Sequence, residues 1–146
     1  MGVKGKLIAS LEVKCGGHLV HDILHTNTHH IPNISPGKIS HFEICEGEIT
    51  KVGSILNWKY NDDGKDKILK EVVEIVDLQK KSFTFKVIEG DLLELFNSFT
   101  IITSVEDQWA TCTLVYEKKT EDIPEPIILL GLNLHVIKDI EGYLLK

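Results

Sequence analysis

His18, His21 and His25 stand at i, i+3 and i+7, a spacing that puts three imidazoles on one face of a helix, with His29, His30 and His41 near them in sequence. Zinc is the ion such a set would hold. The three lie opposite Leu19, Val20, Ile23 and Leu24, so a helix that buries those apolar residues leaves the imidazoles in water. A solvated polar face is therefore the reading adopted, and no metal or other cofactor is expected. The stretch Glu46-Gly47-Glu48-Ile49-Thr50-Lys51-Val52-Gly53-Ser54 has two glycines, but no GKS or GKT ending and no helix after it, and its glutamates repel phosphate. It reads as a hairpin loop. GxSxG and HExxH motifs are absent, and no cysteine has a recognisable catalytic setting. The groups left for acid or base work are single ones: Lys70, Tyr60, Glu43 and His135. Lys70 shares the even-numbered side of its segment with Ile68 and Val72. If that side is interior, a desolvated lysine can act as a base; if the odd side is interior, Lys70 stands in water. His135 lies on the edge of an apolar helical arc.

These groups must be carried by one folded domain over residues 1–146, since the chain has 146 residues, 42% hydrophobic and 26% charged. A chain of this length buries roughly 68–70% of the surface its unfolded form exposes, so neither metal nor disulfide is needed to hold it together. All 16 basic residues are lysine, against 22 acidic ones, for a net charge of −6. Without the planar fork of arginine, and with an acidic surface, the chain is a poor match for nucleic acid. Cys15, Cys45 and Cys112 form no CxxC pair and are odd in number, which suits reduced thiols in the cytoplasm. No segment approaches ~20 apolar residues, so no stable membrane insertion is expected. The opening Met-Gly resembles an N-myristoylation signal, but Lys6 occupies the position that calls for Ser or Thr.

Periodicity supplies the elements. Val52, Ser54, Leu56, Trp58 and Tyr60 alternate with Gly53, Asn57 and Lys59 as a half-buried strand does, and Asn61-Asp62-Asp63-Gly64 supplies a hairpin turn. Ile68–Val76 fits a helix as well as a strand and is assigned as a strand on its β-branched content. Phe83, Phe85 and Val87 alternate with Thr84 and Lys86. Phe99–Val105, Ala110–Tyr116, Lys6–Val13 and Ile39–Cys45 bring the count to about seven strands joined mostly by short turns, which implies an antiparallel sheet. Helices are expected over His18–His25, in a short turn before Pro32, and from the Pro124/Pro126 pair to about Leu145. In the last of these, Leu129, Leu132, Val136, Ile140 and Tyr143 fall within a ~80° stripe, and Leu130, Leu134, Ile137 and Leu144 widen the arc. So wide an arc calls for a curved sheet that grips the helix, and incomplete closure leaves an apolar hollow between them.

Several phrases, in order, carry a likeness: Met1-Gly2-Val3-Lys4-Gly5-Lys6-Leu7, His29-His30-Ile31-Pro32-Asn33-Ile34-Ser35-Pro36, Glu46-Gly47-Glu48, Val52-Gly53-Ser54, Trp58-Lys59-Tyr60, Phe85-Lys86-Val87-Ile88-Glu89-Gly90-Asp91 and Tyr116-Glu117-Lys118. Over essentially its whole length the chain resembles the plant major latex protein-like group of the Bet v I, or pathogenesis-related class ten, superfamily. The resemblance implies an α+β helix-grip fold: a seven-stranded antiparallel sheet with two short helices, wrapped around a long C-terminal helix and a large apolar cavity. It also implies binding of fatty acids or lysophospholipids, steroids, cytokinins, flavonoids or alkaloids, in defence or stress response. Carried over to this chain, the pocket is lined by Leu56, Trp58 and Tyr60, by Ile68 and Lys70, and by Phe83, Phe85 and Val87. Ile128, Leu129, Leu132, His135 and Val136 face them from the long helix, with Ile23 and Ile31 near the mouth. Relatives proposed as ribonucleases carry a lysine where this chain has Leu56, although Glu89, Glu141 and Tyr143 match. The gate and latch phrases of abscisic-acid receptors are missing.

The expected function is non-enzymatic: a cytoplasmic carrier or store for a small apolar plant metabolite, monomeric or weakly dimeric. The alternative is an alkaloid-pathway enzyme that uses Lys70, Tyr60, Glu43 or His135 as acid or base.

Overall fold

The computed structural model describes residues 2–146; Met1, with which the myristoylation-like opening and the first of the likenesses begin, lies outside them. The strands are β1 (Val3–Glu12), β2 (Ile39–Glu46), β3 (Ile55–Asp62), β4 (Lys65–Asp77), β5 (Ser82–Gly90), β6 (Phe96–Glu106) and β7 (Trp109–Lys118). They form one antiparallel sheet in the order β1-β7-β6-β5-β4-β3-β2. The helices are α1 (Gly17–His25), α2 (Ile31–Ile34, entered through a 3₁₀ turn at Thr28–His30), the single turn α3 (Leu92–Leu95) and the long α4 (Ile127–Leu144).

Local chemistry explains the joints. Asp63 and Gly64 both have positive φ (52° and 90°), as a two-residue hairpin turn between right-twisted strands requires, and the Asn61 side chain accepts the Gly64 N–H at 2.7 Å. Gly90 has φ 121°, and a Cβ there would stand 2.3 Å from the Ile68 carbonyl oxygen, so only glycine lets β5 leave β4 this closely. The strand expected from Val52 begins at Ile55 instead: Gly53 (φ 92°) and Ser54 already exchange backbone hydrogen bonds with Val73, but the positive φ keeps them out of the regular ladder. The turn α3 gave no sequence signal; four residues are too few to show a period.

Curvature comes from irregular pairing. Register shifts interrupt β2 between Ile39 and His41 and again between Ile44 and Glu46, and β4 between Lys70 and Glu71 and between Val73 and Ile75. Such bulges bend a strand and increase its twist. The bend lets α4 touch β1 and β7 on one side and β3 on the other, although four strands separate β1 from β3 in the sheet. Helix α4 buries Leu129, Val136, Ile137 and Ile140 and packs Leu130, Leu132, Leu134 and Leu144 in part, so the gripped helix expected from its wide arc is present. Its first turn and last turn project: Ile127, Ile128 and Tyr143 are exposed. Two polar ties fix its lower half. Glu141 accepts the backbone N–H of Lys14 and the Lys138 ammonium, the latter at 3.0 Å, and Ser35 donates to Asp139. The Lys14 N–H, ahead of Lys138, holds the Glu141 carboxyl below the usual carboxylate range.

Candidate functional site

Between α4 and the concave face of the sheet lies a hollow of about 90 Å³. At ~15 Å³ per water-sized centre this is room for about six waters, or a guest the size of one ring or a short chain. It is smaller than the large cavity that the resemblance implies, and the bulky side chains of Trp58, Phe85 and His25 are among those that border it.

Of the residues assigned to the pocket from sequence, Ile31, Trp58, Tyr60, Phe85, Leu129, Leu132 and Val136 border the hollow. Ile23, Leu56, Phe83 and Val87 are buried in the packing around it without bordering it. Ile68, Lys70, Ile128 and His135 are elsewhere. On β4 the interior residues are Leu69, Glu71 and Val73, so Ile68 is exposed and Lys70 lies on the outer face, 3.3 Å from Glu89. The reason is register. The two-residue turn pairs Asp62 with Lys65, Trp58 with Leu69 and Leu56 with Glu71. Directly opposite residues point to the same side of an antiparallel sheet, so even positions of β3 share a face with odd positions of β4. Ile128 and His135 are exposed on α4, on the side turned away from the sheet. Of the four acid–base candidates only Tyr60 reaches the hollow: Glu43 is on the surface, with His41 at 3.7 Å. The residues shared with proposed ribonucleases are likewise dispersed in role, Glu89 paired with Lys70, Glu141 holding Lys14, and Tyr143 exposed.

The remaining lining is Leu24, His25, Ile39, Leu69, Glu71, Ile101, Thr103 and Asn133, none of them assigned to the pocket from sequence. Two of these are ionisable and buried. Glu71 is 4% exposed, and Trp58 Nε1–H donates to its Oε1 at 2.8 Å. Burial pushes its carboxyl up to about 8, against the opposing pull of the Trp58 bond. Tyr60 is raised too, first by burial and then by Asp62 and Asp91.

His25 corrects the solvated-face reading. It closes α1 from inside, 2% exposed and stacked on Phe83 with centroids 4.0 Å apart. Its Nδ1 lies 2.8 Å from His21 Nδ1 and its Nε2 lies 2.7 Å from Thr103 Oγ1. Burial, with His21 second, lowers its pKa to about 3, so the ring is neutral at physiological pH. His21 is half-buried and lowered as well, again chiefly by burial. Among the described residues no group of three or more His, Cys, Asp or Glu side chains is placed to hold a metal ion. The Glu46–Ser54 loop closes on itself, with the Glu48 N–H donating to Ser54 Oγ at 3.0 Å and Ser54 Oγ donating back to the Glu48 carbonyl.

The sequence pattern of the pathogenesis-related protein Bet v 1 family matches residues 2–146. MLP-like protein 43 of Arabidopsis thaliana is 37% identical, over 97% of this chain and 93% of its own length. MLP-like protein 31 of the same plant is also 37% identical, over 97% of this chain and 86% of its own. Among solved structures, major latex-like protein 151 of Panax ginseng superposes with a TM-score of 0.94 at 40% identity, over 99% of this chain and 100% of its own. Norcoclaurine synthase from Thalictrum flavum, at 22% identity and a TM-score of 0.82 over 99% of this chain and 88% of its own, shares the fold. A seven-stranded grip around a long C-terminal helix, together with these likenesses over nearly the whole length, places the chain in the pathogenesis-related protein Bet v 1 family, alongside the major latex-like proteins.

Proposed function

We propose that the protein binds and carries a compact, largely apolar plant metabolite in the hollow between α4 and the sheet, without chemical conversion, as part of a defence or stress response. The observation that supports this best is the hollow itself, an unfilled space of about 90 Å³ in an otherwise packed interior, bordered mostly by Leu, Ile, Val and aromatic side chains. Protein interiors normally fill such spaces, and an open one lined by apolar groups with a few polar ones is the usual form of a small-molecule site. Family membership supports the same reading. The separation of Lys70 and His135 from Tyr60 weighs against an acid–base enzyme built on those three. Leu24, Leu132 and Asn133 are half-buried, so the guest enters on their side, between α1 and α4.

Burial of each CH₂ contributes about 0.8 kcal/mol, so a six-carbon guest gains at most on the order of 5 kcal/mol before association costs, which makes its affinity millimolar or weaker. The test is an NMR titration with 1-hexanol, followed at the Trp58 indole N–H, whose bond to Glu71 borders the hollow. A saturable shift of that resonance, with the exposed Trp109 indole unmoved, is expected. No saturable shift with 1-hexanol, toluene or indole at millimolar concentration would overturn the reading. Mass spectrometry of what co-purifies from plant tissue then names the guest.

A further inference from the structure

The hollow is apolar but not featureless, and its one carboxyl has no cation beside it. No buried polar side-chain atom among the described residues lacks a partner, and Trp58 is the only partner found for the Glu71 carboxyl, so its second oxygen is not sealed in protein but borders the free space. One N–H of the Asn133 amide donates to the Leu129 carbonyl at 2.9 Å, which leaves its side-chain carbonyl and its second N–H without a protein partner. Trp58 Nε1–H is used on Glu71 and the single proton of neutral His25 between His21 and Thr103, which leaves the Tyr60 hydroxyl and the second Asn133 amide N–H as the uncharged donors among the lining residues. The titratable groups that face the hollow are Glu71 from β4, His25 from α1 and Tyr60 from β3, whereas α2, β2, β5, β6 and α4 present only uncharged side chains. No lysine borders the space; the nearest one in sequence, Lys70, is turned outward to Glu89.

We propose that the hollow selects small apolar molecules that carry a protonated amine, with the Glu71 carboxylate as their buried counter-ion. This rests on reading the hollow as a ligand pocket and adds the chemical class of the ligand. A carboxyl buried without a cation keeps its proton up to about pH 8. An ammonium brought into the hollow supplies the missing charge, displaces that proton to solvent and is held by a charge-assisted hydrogen bond. A carboxylate guest meets the opposite situation: it must enter beside an acid, with no cation lining the space to receive it. The acidic surface of the whole chain, net −6, favours the same sign of guest at the encounter stage.

The test compares three six-carbon probes of matched shape, hexylammonium, 1-hexanol and hexanoate, titrated at pH 7.5 into wild type and Glu71→Gln. Gln keeps the size of the side chain and an acceptor for Trp58 but cannot ionise. In wild type, hexylammonium is expected to bind about tenfold or more tightly than 1-hexanol, with hexanoate the weakest. Glu71→Gln is expected to abolish the preference for the amine, so that hexylammonium binds no more tightly than 1-hexanol does to the same variant. Wild type alone provides a second readout. Its affinity for hexylammonium rises by about tenfold per pH unit between pH 5.5 and 7.5 as binding expels one proton, while that for 1-hexanol stays flat. If 1-hexanol binds but hexylammonium shows no preference or no pH slope, the inference fails and the pocket stands. If none of the three binds, the pocket reading fails and takes the inference with it.

Discussion

Two glutamates in this protein accept a hydrogen bond from an aromatic side chain and end in opposite states. Glu125, just before α4, takes the Tyr116 hydroxyl at 2.6 Å and pairs with the Lys118 ammonium through its other oxygen. Its carboxyl is held below the usual range, first by Lys118 and then by Tyr116. Glu71 takes the Trp58 indole N–H at 2.8 Å, has no cation, and is pushed up to about 8. The aromatic donor is common to both, so it does not decide the charge. Burial and a lysine decide it: Glu125 is half-exposed and paired with Lys118, whereas Glu71 is buried at the edge of the hollow with no cation beside it. Tyr116 feels the reverse effect, its hydroxyl raised to about 12 by burial and by the charge of Glu125. One carboxylate ties the strand end to the approach to α4; the other stands ready for a guest.

The sharpest way to break this comparison is to titrate stability. Folding raises the Glu71 pKa from 4.5 to about 8, so the folded state binds the extra proton across that interval and stability falls as pH rises through it. Folding lowers the His25 pKa from 6.5 to about 3, so stability falls as pH drops through that interval. The two slopes oppose each other between pH 4.5 and 6.5, and thermal melts are expected to show a plateau there, with losses on both sides. Glu71→Gln is expected to remove the alkaline loss, gaining on the order of 5 kcal/mol at pH 8.5 and about 1 kcal/mol at pH 5. A variant whose melting profile matches wild type at both pH values would show that Glu71 ionises freely. Next in size, Trp58→Phe leaves the buried carboxyl without its donor and is expected to cost about 2 kcal/mol in denaturant unfolding at pH 7. Smallest is the counterpart at the other site. Tyr116→Phe leaves Glu125 to water and Lys118, and is expected to cost no more than about 1 kcal/mol, with no change in the pH at which the plateau ends. Equal costs for the two aromatic substitutions would erase the distinction drawn between the sites.

Much of the architecture is legible from alternation. Leu56, Trp58 and Tyr60 alternate cleanly with polar residues, and the arc on α4 is wide because sheet, α1 and α2 all pack against it. The parity of β4 was legible too, through the turn rather than the strand. A two-residue Asp63–Gly64 turn places Asp62 opposite Lys65 and so sets odd β4 residues beside even β3 residues. The strand's own composition misleads, since Ile68 and Val72 are as apolar as Leu69 and Val73. Glu71 and His25 escaped because a polar residue on an interior face looks, by type alone, like a solvated one; what buries them is the approach of α1 to β6 and of α4 to β3, which is tertiary. Tyr143 belongs to the arc, and Ile128 to the lining that the resemblance implies, but both project where the helix runs beyond its cover. The volume of the hollow depends on how far α4 stands from the sheet, a distance that no local pattern encodes.

The imidazole pair on α1 has a consequence for signalling the state of the interior. A neutral ring carries one proton, so the line from His21 through His25 to Thr103 has only two self-consistent polarities. In one, Thr103 donates to His25 and His25 donates to His21; in the other, every arrow reverses. A donor arriving beside Thr103 from within favours the first, and that preference fixes which nitrogen of the half-exposed His21 ring holds its hydrogen.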